Sequence, residues 1–152
     1  MEASAISHIA ICTRDMEKSL TFYRDILGMR VLFDGPTDPT EGGRTHNYQQ
    51  VRRSRRRVSL SFGAAKKPTL TITSHAGEEI AGQALKLDQV GITHFSFTVP
   101  DTDALMQELL AKGIPLGGPR EVFTNPEGRV RSFYVHDPDG ILIQFDSGLN
   151  EG

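Results

Sequence analysis

Residues Ile6–Asp15 read ISHIAICTRD, and residues Ile92–Asp101 read ITHFSFTVPD. The stretches align without a gap: Ile6 with Ile92, Ser7 with Thr93, His8 with His94, Ile9 with Phe95, Ile11 with Phe97 and Asp15 with Asp101. In each, apolar residues alternate with small polar ones, the period-2 pattern of a strand with one buried face. The likeness continues beyond the strand. DMEKSLTFYRDILG (Asp15–Gly28) and DTDALMQELLAKG (Asp101–Gly113) both show an acidic first turn, helical apolar spacing and a glycine stop, and the second is one residue shorter.

After each helix the sequence returns to strand-like material. The first half offers MRVLF (29–33), RVSLSF (57–62) and TLTITSH (69–75); the second offers PLGGPREVF (115–123), VRSFYVH (130–136) and ILIQFDS (141–147), the last two joined by DPDG. Each half therefore reads β-α-β-β-β, predicting an α+β fold. The glycine-, proline- and threonine-rich stretch 34–50 reads as a loop in the first half, with room for an extra strand near Tyr48. Module 1 is expected over about residues 6–76, a linker over 77–91 and module 2 over 92–148, as one domain spanning 1–152.

Alternation assigns the faces. Ile9, Ile11, Leu70, Ile72, Phe95, Phe97, Phe133, Val135, Ile143 and Phe145 share an apolar face, expected to meet the helices. The opposite face carries His8, Ala10 and Cys12; Ser59 and Ser61; Thr71 and His75; His94 and Ser96; Tyr134 and His136; and Gln144 and Asp146. Small, hydroxylic and imidazole-bearing side chains suit a polar pocket better than a solvated sheet back, which is usually rich in Lys and Glu. Related halves are expected about a pseudo-twofold axis, turning His8 and His94 toward one cavity, and two converging imidazoles are a common start to a divalent-metal site. The plainer alternative, a hydrogen-bonded histidine without a metal, stays open for each.

Composition narrows the rest. Hydrophobic residues make up 38% and charged residues 24%, ordinary for a globular domain, and a net charge of -2 gives no general attraction to nucleic acid or membrane. The single cysteine, Cys12, permits no internal disulfide, and without a signal-peptide pattern or long apolar run a cytoplasmic location is expected.

SHIAICTRDMEKSLTFYRDILGM, THFSFTV and DPDGILIQF together resemble the vicinal oxygen chelate superfamily, which includes glyoxalase I, extradiol dioxygenases, methylmalonyl-CoA epimerase and the fosfomycin and bleomycin resistance proteins. The resemblance implies paired βαβββ modules forming a curved mixed-sheet cup. It also implies a metal held by a histidine on the first strand of each module and by Glu or Gln on the last strands. Those positions are His8, His94, Thr71 and Gln144. Two departures matter: Gln144 is a neutral donor where glutamate is usual, and threonine is not a usual ligand. A four-ligand glyoxalase site is therefore disfavoured. A three-ligand site of His8, His94 and Gln144 for Fe(II), Mn(II) or Zn(II) is closer, with His75 and Asp146 as substitutes on the same faces; for His75 the alternative is a strand end in solvent.

Tyr134 and His136 are the candidates for acid or base catalysis, against plain packing roles. Ser59, Thr71 and Ser96 are candidate substrate contacts by facing. VRRSRRRV (51–58) reads as a solvated edge, within which Arg57 shares the face of Ser59 and Ser61 and suits an anionic substrate. His46 lies in the long loop, a potential cover for the cup, and Cys12 reads as a small filler. These features point to a metal-dependent enzyme acting on a small oxygen-bearing molecule, oxygenase-like or lyase-like. The competing reading is a metal-free binding protein of the bleomycin-resistance type. A homodimer is expected, with modules pairing within or between chains, and no nucleic-acid or membrane partner.

Overall fold

The computed structural model describes residues 1–148, which form two compact units, Met1–Gly82 and the chain from Gln83 onward. In the first unit, strand β1 (His8–Cys12) leads into helix α1 (Met16–Leu20), then β2 (Arg30–Pro36), β3 (Arg56–Ser61) and β4 (Thr69–Ser74). The sheet runs β1-β4-β3-β2, with β1 parallel to β4 and the other pairs antiparallel. In the second unit, β5 (His94–Thr98), α2 (Thr102–Ala111), β6 (Ser132–His136) and β7 (Leu142–Asp146) give a three-stranded sheet, β5-β7-β6, with β5 parallel to β7. Two mixed sheets with few helices make the α+β class expected from the sequence.

The repeat is exact in register. Ala10 lies opposite Thr71, which lies opposite Ser59; the equivalent row is Ser96, Gln144 and Tyr134. Both helices are capped alike, Asp15 accepting from the Lys18 amide and Asp101 from the Ala104 amide. Helix α2 closes on Gly113 (φ 78°), where the Ile114 amide bonds to the Leu109 carbonyl and the Gly113 amide to the Leu110 carbonyl. Helix α1 widens instead into a π-helical stretch over Thr21–Ile26, with the Leu27 amide bonded to the Phe22 carbonyl, before Gly28 (φ 73°) ends it. The extra residue of the first helix is thus taken up as a widened turn.

Each unit has its own core on the apolar face. Leu70, Ile72, Val58 and Leu60 are buried in the first unit with Met16, Leu20, Tyr23 and Met29. Phe133, Val135, Ile143 and Phe145 are buried in the second with Met106 and Leu109, and the Phe133 and Phe145 rings lie 5.2 Å apart. Arg56 points to the helix side, where it is bonded through two nitrogens to Asp34 and through a third contact to Glu17. The Arg56 hydrogen bonds hold the Asp34 carboxyl below its usual range.

Three local expectations are revised. PLGGPREVF forms no full strand: it makes one bridge, Leu116 to Val135, and a 3₁₀ turn over Arg120–Phe123, because Pro115 and Pro119 offer no amide donors and Gly117 and Gly118 lie between them. No strand forms near Tyr48; the loop holds a 3₁₀ stretch over Glu41–His46, broken by left-handed glycines at 42 and 43, and His46 is exposed. His75 does not end in solvent. It is buried, with Nδ1 2.6 Å from the Ser54 carbonyl oxygen and its ring edge-on to Tyr48. Among the described residues no helix is long and apolar enough to cross a membrane.

Since the caps are equivalent, Asp15→Ala and Asp101→Ala should each lower stability by about 1 kcal/mol in urea unfolding. Asp34→Asn should destabilise at neutral pH. The depressed carboxyl contributes its stability above the unfolded value of about 3.9 and loses it as pH falls through the lower folded value. The wild-type and Asp34→Asn urea midpoints should therefore converge in strong acid, and a gap that persists there would contradict the assignment.

Candidate functional site

The face opposite the core carries the candidate residues in register rows. In the second unit, one row is His94, Leu142 and His136, the next Ser96, Gln144 and Tyr134, and the third Thr98, Asp146 and Ser132. Partners in a row stand about 5 Å apart, so Gln144 is flanked by Ser96 and Tyr134. The Tyr134 ring is edge-on to His94 with centroids 5.9 Å apart and also neighbours Phe123 at 6.2 Å. Asp146 is occupied: its carboxylate accepts from the Ser96 hydroxyl at 2.8 Å and from the Gly148 amide at 2.7 Å.

The β6–β7 connection fixes these rows. Asp137 is buried, and one of its carboxylate oxygens accepts from the amides of Asp139 and Ile141, while the Gly140 amide bonds to its carbonyl. This is the mechanism behind the DPDG turn. Tyr134 and His136 also line a cavity of about 270 Å³ with Leu142, Gly117, Gly140 and the segment 84–87. Leu85 and Lys86 were not among the sequence candidates, since nothing in a linker's composition says which strand face it crosses.

In the first unit, the corresponding rows are His8 with Thr69; Ala10, Thr71, Ser59 and Phe33; and Cys12, Thr73, Arg57 and Gly35. His8, Ala10 and Cys12 are exposed on the edge strand, whereas Thr71 and Ser61 are buried. Arg57 lays its guanidinium over the Phe33 ring, 4.4 Å from the centroid. The solvated-edge reading of VRRSRRRV holds for exposed Arg53 but not for its neighbours: Arg52 is buried and donates to the Glu79 carbonyl, and Arg55 and Arg57 are half-buried.

The two histidines are poised alike. His8 Nδ1 lies 2.9 Å from the Ser7 hydroxyl and His94 Nδ1 lies 3.0 Å from the Thr93 hydroxyl. Among the described residues no hydrogen bond reaches Nε2 of either ring. In the tautomer that donates from Nδ1 to the hydroxyl, the Nε2 lone pair is presented outward, the arrangement of a metal-ligating histidine with its outer partner. Imidazole nitrogens and the Gln144 amide oxygen suit a divalent ion in kind, as neutral donors. No three His, Cys, Asp or Glu side chains gather as a metal-holding group among the described residues, consistent with Gln144 and Thr71 standing where carboxylates are usual.

A sequence profile of the Glyoxalase/Bleomycin resistance protein/Dioxygenase superfamily matches residues 5–145. YwkD of Bacillus subtilis (strain 168) is 27% identical over 144 residues, covering 95% of this chain and 97% of its own. The trypanothione-dependent glyoxalase I of Leishmania major superposes with a TM-score of 0.66 at 22% identity, over 95% of this chain and 86% of that one. A mutant of the fosfomycin resistance protein FosX from Listeria monocytogenes, complexed with Mn(II) and 1S,2S-dihydroxypropylphosphonic acid, superposes with a TM-score of 0.60 at 19% identity, over 99% and 97%. At these identities the structural likeness establishes the fold.

Gly117 brings the segment after α2 against Tyr134: its amide bonds to the Tyr134 carbonyl at 2.7 Å, and a Cβ there would lie 3.0 Å from Tyr134 Cβ. Gly117→Ala should therefore displace Tyr134 and cost about 1–3 kcal/mol in urea unfolding. A variant as stable as the parent would show that the contact yields freely.

Proposed function

The chain belongs to the Glyoxalase/Bleomycin resistance protein/Dioxygenase superfamily, and from that premise we propose that it is a divalent-metal-dependent enzyme acting on a small oxygen-bearing molecule, oxygenase-like or lyase-like. His8, His94 and Gln144 are the proposed ligands for Fe(II), Mn(II) or Zn(II). The observation that carries the reading is the matched poise of the two histidines, each with Nδ1 at the hydroxyl of the preceding residue. FosX, which shares the fold, is complexed with Mn(II) and a dihydroxypropylphosphonic acid, and this supports a metal of that kind.

When bound, the ion supplies Lewis-acid polarisation of vicinal oxygens. The chain supplies the remainder. Tyr134, beside His94 and in register with Gln144, gives or takes a proton at its hydroxyl, with His136 as second acid-base group on the wall of the same cavity. Ser96, Ser59 and Thr71 offer hydroxyls to substrate oxygens, and Arg57 offers charge. The second reading, a metal-free binding protein of the bleomycin-resistance type, is favoured by neutral Gln144 and by buried Thr71 at the usual carboxylate positions.

Titration with Mn(II) followed by electron paramagnetic resonance separates the two readings. The enzyme reading expects binding that His8→Ala or His94→Ala abolishes, that Gln144→Glu tightens about tenfold or more through the added charge, and that Thr93→Val weakens about tenfold or more by removing the outer partner. Binding insensitive to both histidines would leave the metal-free reading. If the site is shared across a homodimer, mixing His8→Ala and His94→Ala chains should restore a fraction of the wild-type sites.

A further inference from the structure

Strand alternation sorts the three consecutive arginines of the basic run. Arg56 turns to the helix side and is neutralised by Asp34 and Glu17. Arg57 turns to the opposite face, and Arg55, one step before the strand, shares its parity. No carboxylate pairs with either among the described residues. Arg55 donates to the Thr37 hydroxyl at 2.5 Å, and Arg57 stacks on Phe33 with its Nε–H buried and without an acceptor. The Ser61 hydroxyl, on the same face, is also buried and unpaired. Burial, then repulsion from Arg44 and, less strongly, from Arg57, pulls the Arg55 guanidinium below its ordinary value, against an opposing influence of Tyr48.

Two half-buried guanidinium groups that repel each other are an unfavourable arrangement for a folded chain by itself. An oxyanion relieves that repulsion. We propose that Arg55 and Arg57 form a seat for a dianionic phosphoryl or phosphonyl group. Two uncompensated cations match two negative charges, and planar guanidinium forks bond tetrahedral oxyanions in pairs. The ring of Phe33 fixes the tilt of Arg57, and Gly35 makes room for that ring, since a Cβ at Gly35 would lie 3.3 Å from the Phe33 ring edge. The neighbouring Ser59 hydroxyl, in register with Phe33 and Thr71, supplies a further donor. Taking the anion to be part of the enzyme's substrate rests on the function proposed above; the seat itself does not.

The test is calorimetric titration of the metal-free full chain with methylphosphonate above its second ionisation, at low ionic strength, with inorganic phosphate and acetate in parallel. Methylphosphonate and phosphate should bind, and acetate at least about tenfold more weakly. Arg55→Gln and Arg57→Gln should each weaken methylphosphonate about tenfold or more, Arg57→Lys should fall between, and Arg53→Gln, in the same run but exposed, should change it less than about twofold. Equal losses in Arg53→Gln and Arg57→Gln, acetate binding as tight as methylphosphonate, or no binding by folded wild type would each overturn the seat. Mn(II) affinity, measured separately, should be the same in Arg57→Gln as in wild type. Loss of anion binding with the metal retained thus reports on the seat alone, and absence of metal binding with the anion retained reports on the metal reading alone.

Discussion

Parallel pairing of the first and last strands of each unit is the constraint on which the other features depend. Parallel neighbours cannot be joined by a tight turn, so the chain must leave the sheet and return over one of its faces. Helices α1 and α2 lie on those excursions, and residues that follow strand periodicity toward them, Leu70, Ile72, Phe133 and Ile143 among them, become buried. In the second unit the other face is met at Tyr134 by Phe123 of a short 3₁₀ turn and by the segment 84–87. Polar side chains collect there because burial on that side is incomplete, and the candidate site residues are among them.

The parallel register also explains why the candidate residues fall into rows. Ala10 opposite Thr71 and Ser96 opposite Gln144 are the same pairing in two copies, and each row is extended by the antiparallel neighbour, Ser59 in one unit and Tyr134 in the other. Alternation acts on charge in the same way. It sends Arg56 to two acids and leaves Arg55 and Arg57 on a face where hydroxyls are the available partners.

Much of this is legible in the sequence because a period of two is a hard geometric rule: strand faces, helix caps and glycine stops follow from residue type and spacing alone. The shared facing of His94, Gln144 and Tyr134 follows from the repeat and its alternation. What escapes such a reading depends on contacts between distant segments. PLGGPREVF has a strand's apolar content, but its prolines and glycines leave a single bridge at Leu116. His75 becomes buried only because Ser54 and Tyr48, from a loop without periodicity, close on it. Arg55 shares the parity of Arg57, a signal that could have found it, yet its half-burial depends on the loop carrying Thr37 and Arg44. The segment 84–87 lines the Tyr134 cavity for a reason no linker composition displays.

The widened turn at Thr21–Ile26 bears on how two copies of one module can diverge in length. An added residue in a regular helix rotates everything beyond it by about 100° and would swing the following strand's side chains off their faces. Confined to one loosened turn, the addition leaves the helix entry at Asp15 and the exit at Gly28 matched to their counterparts, Asp101 and Gly113. The surplus residue is stored where hydrogen bonds can stretch over one more peptide, and the sheet never registers it. Length and facing are thereby uncoupled in the first copy, whose helical crossover segment holds one residue more while its histidine strand keeps the same register as that of the second copy.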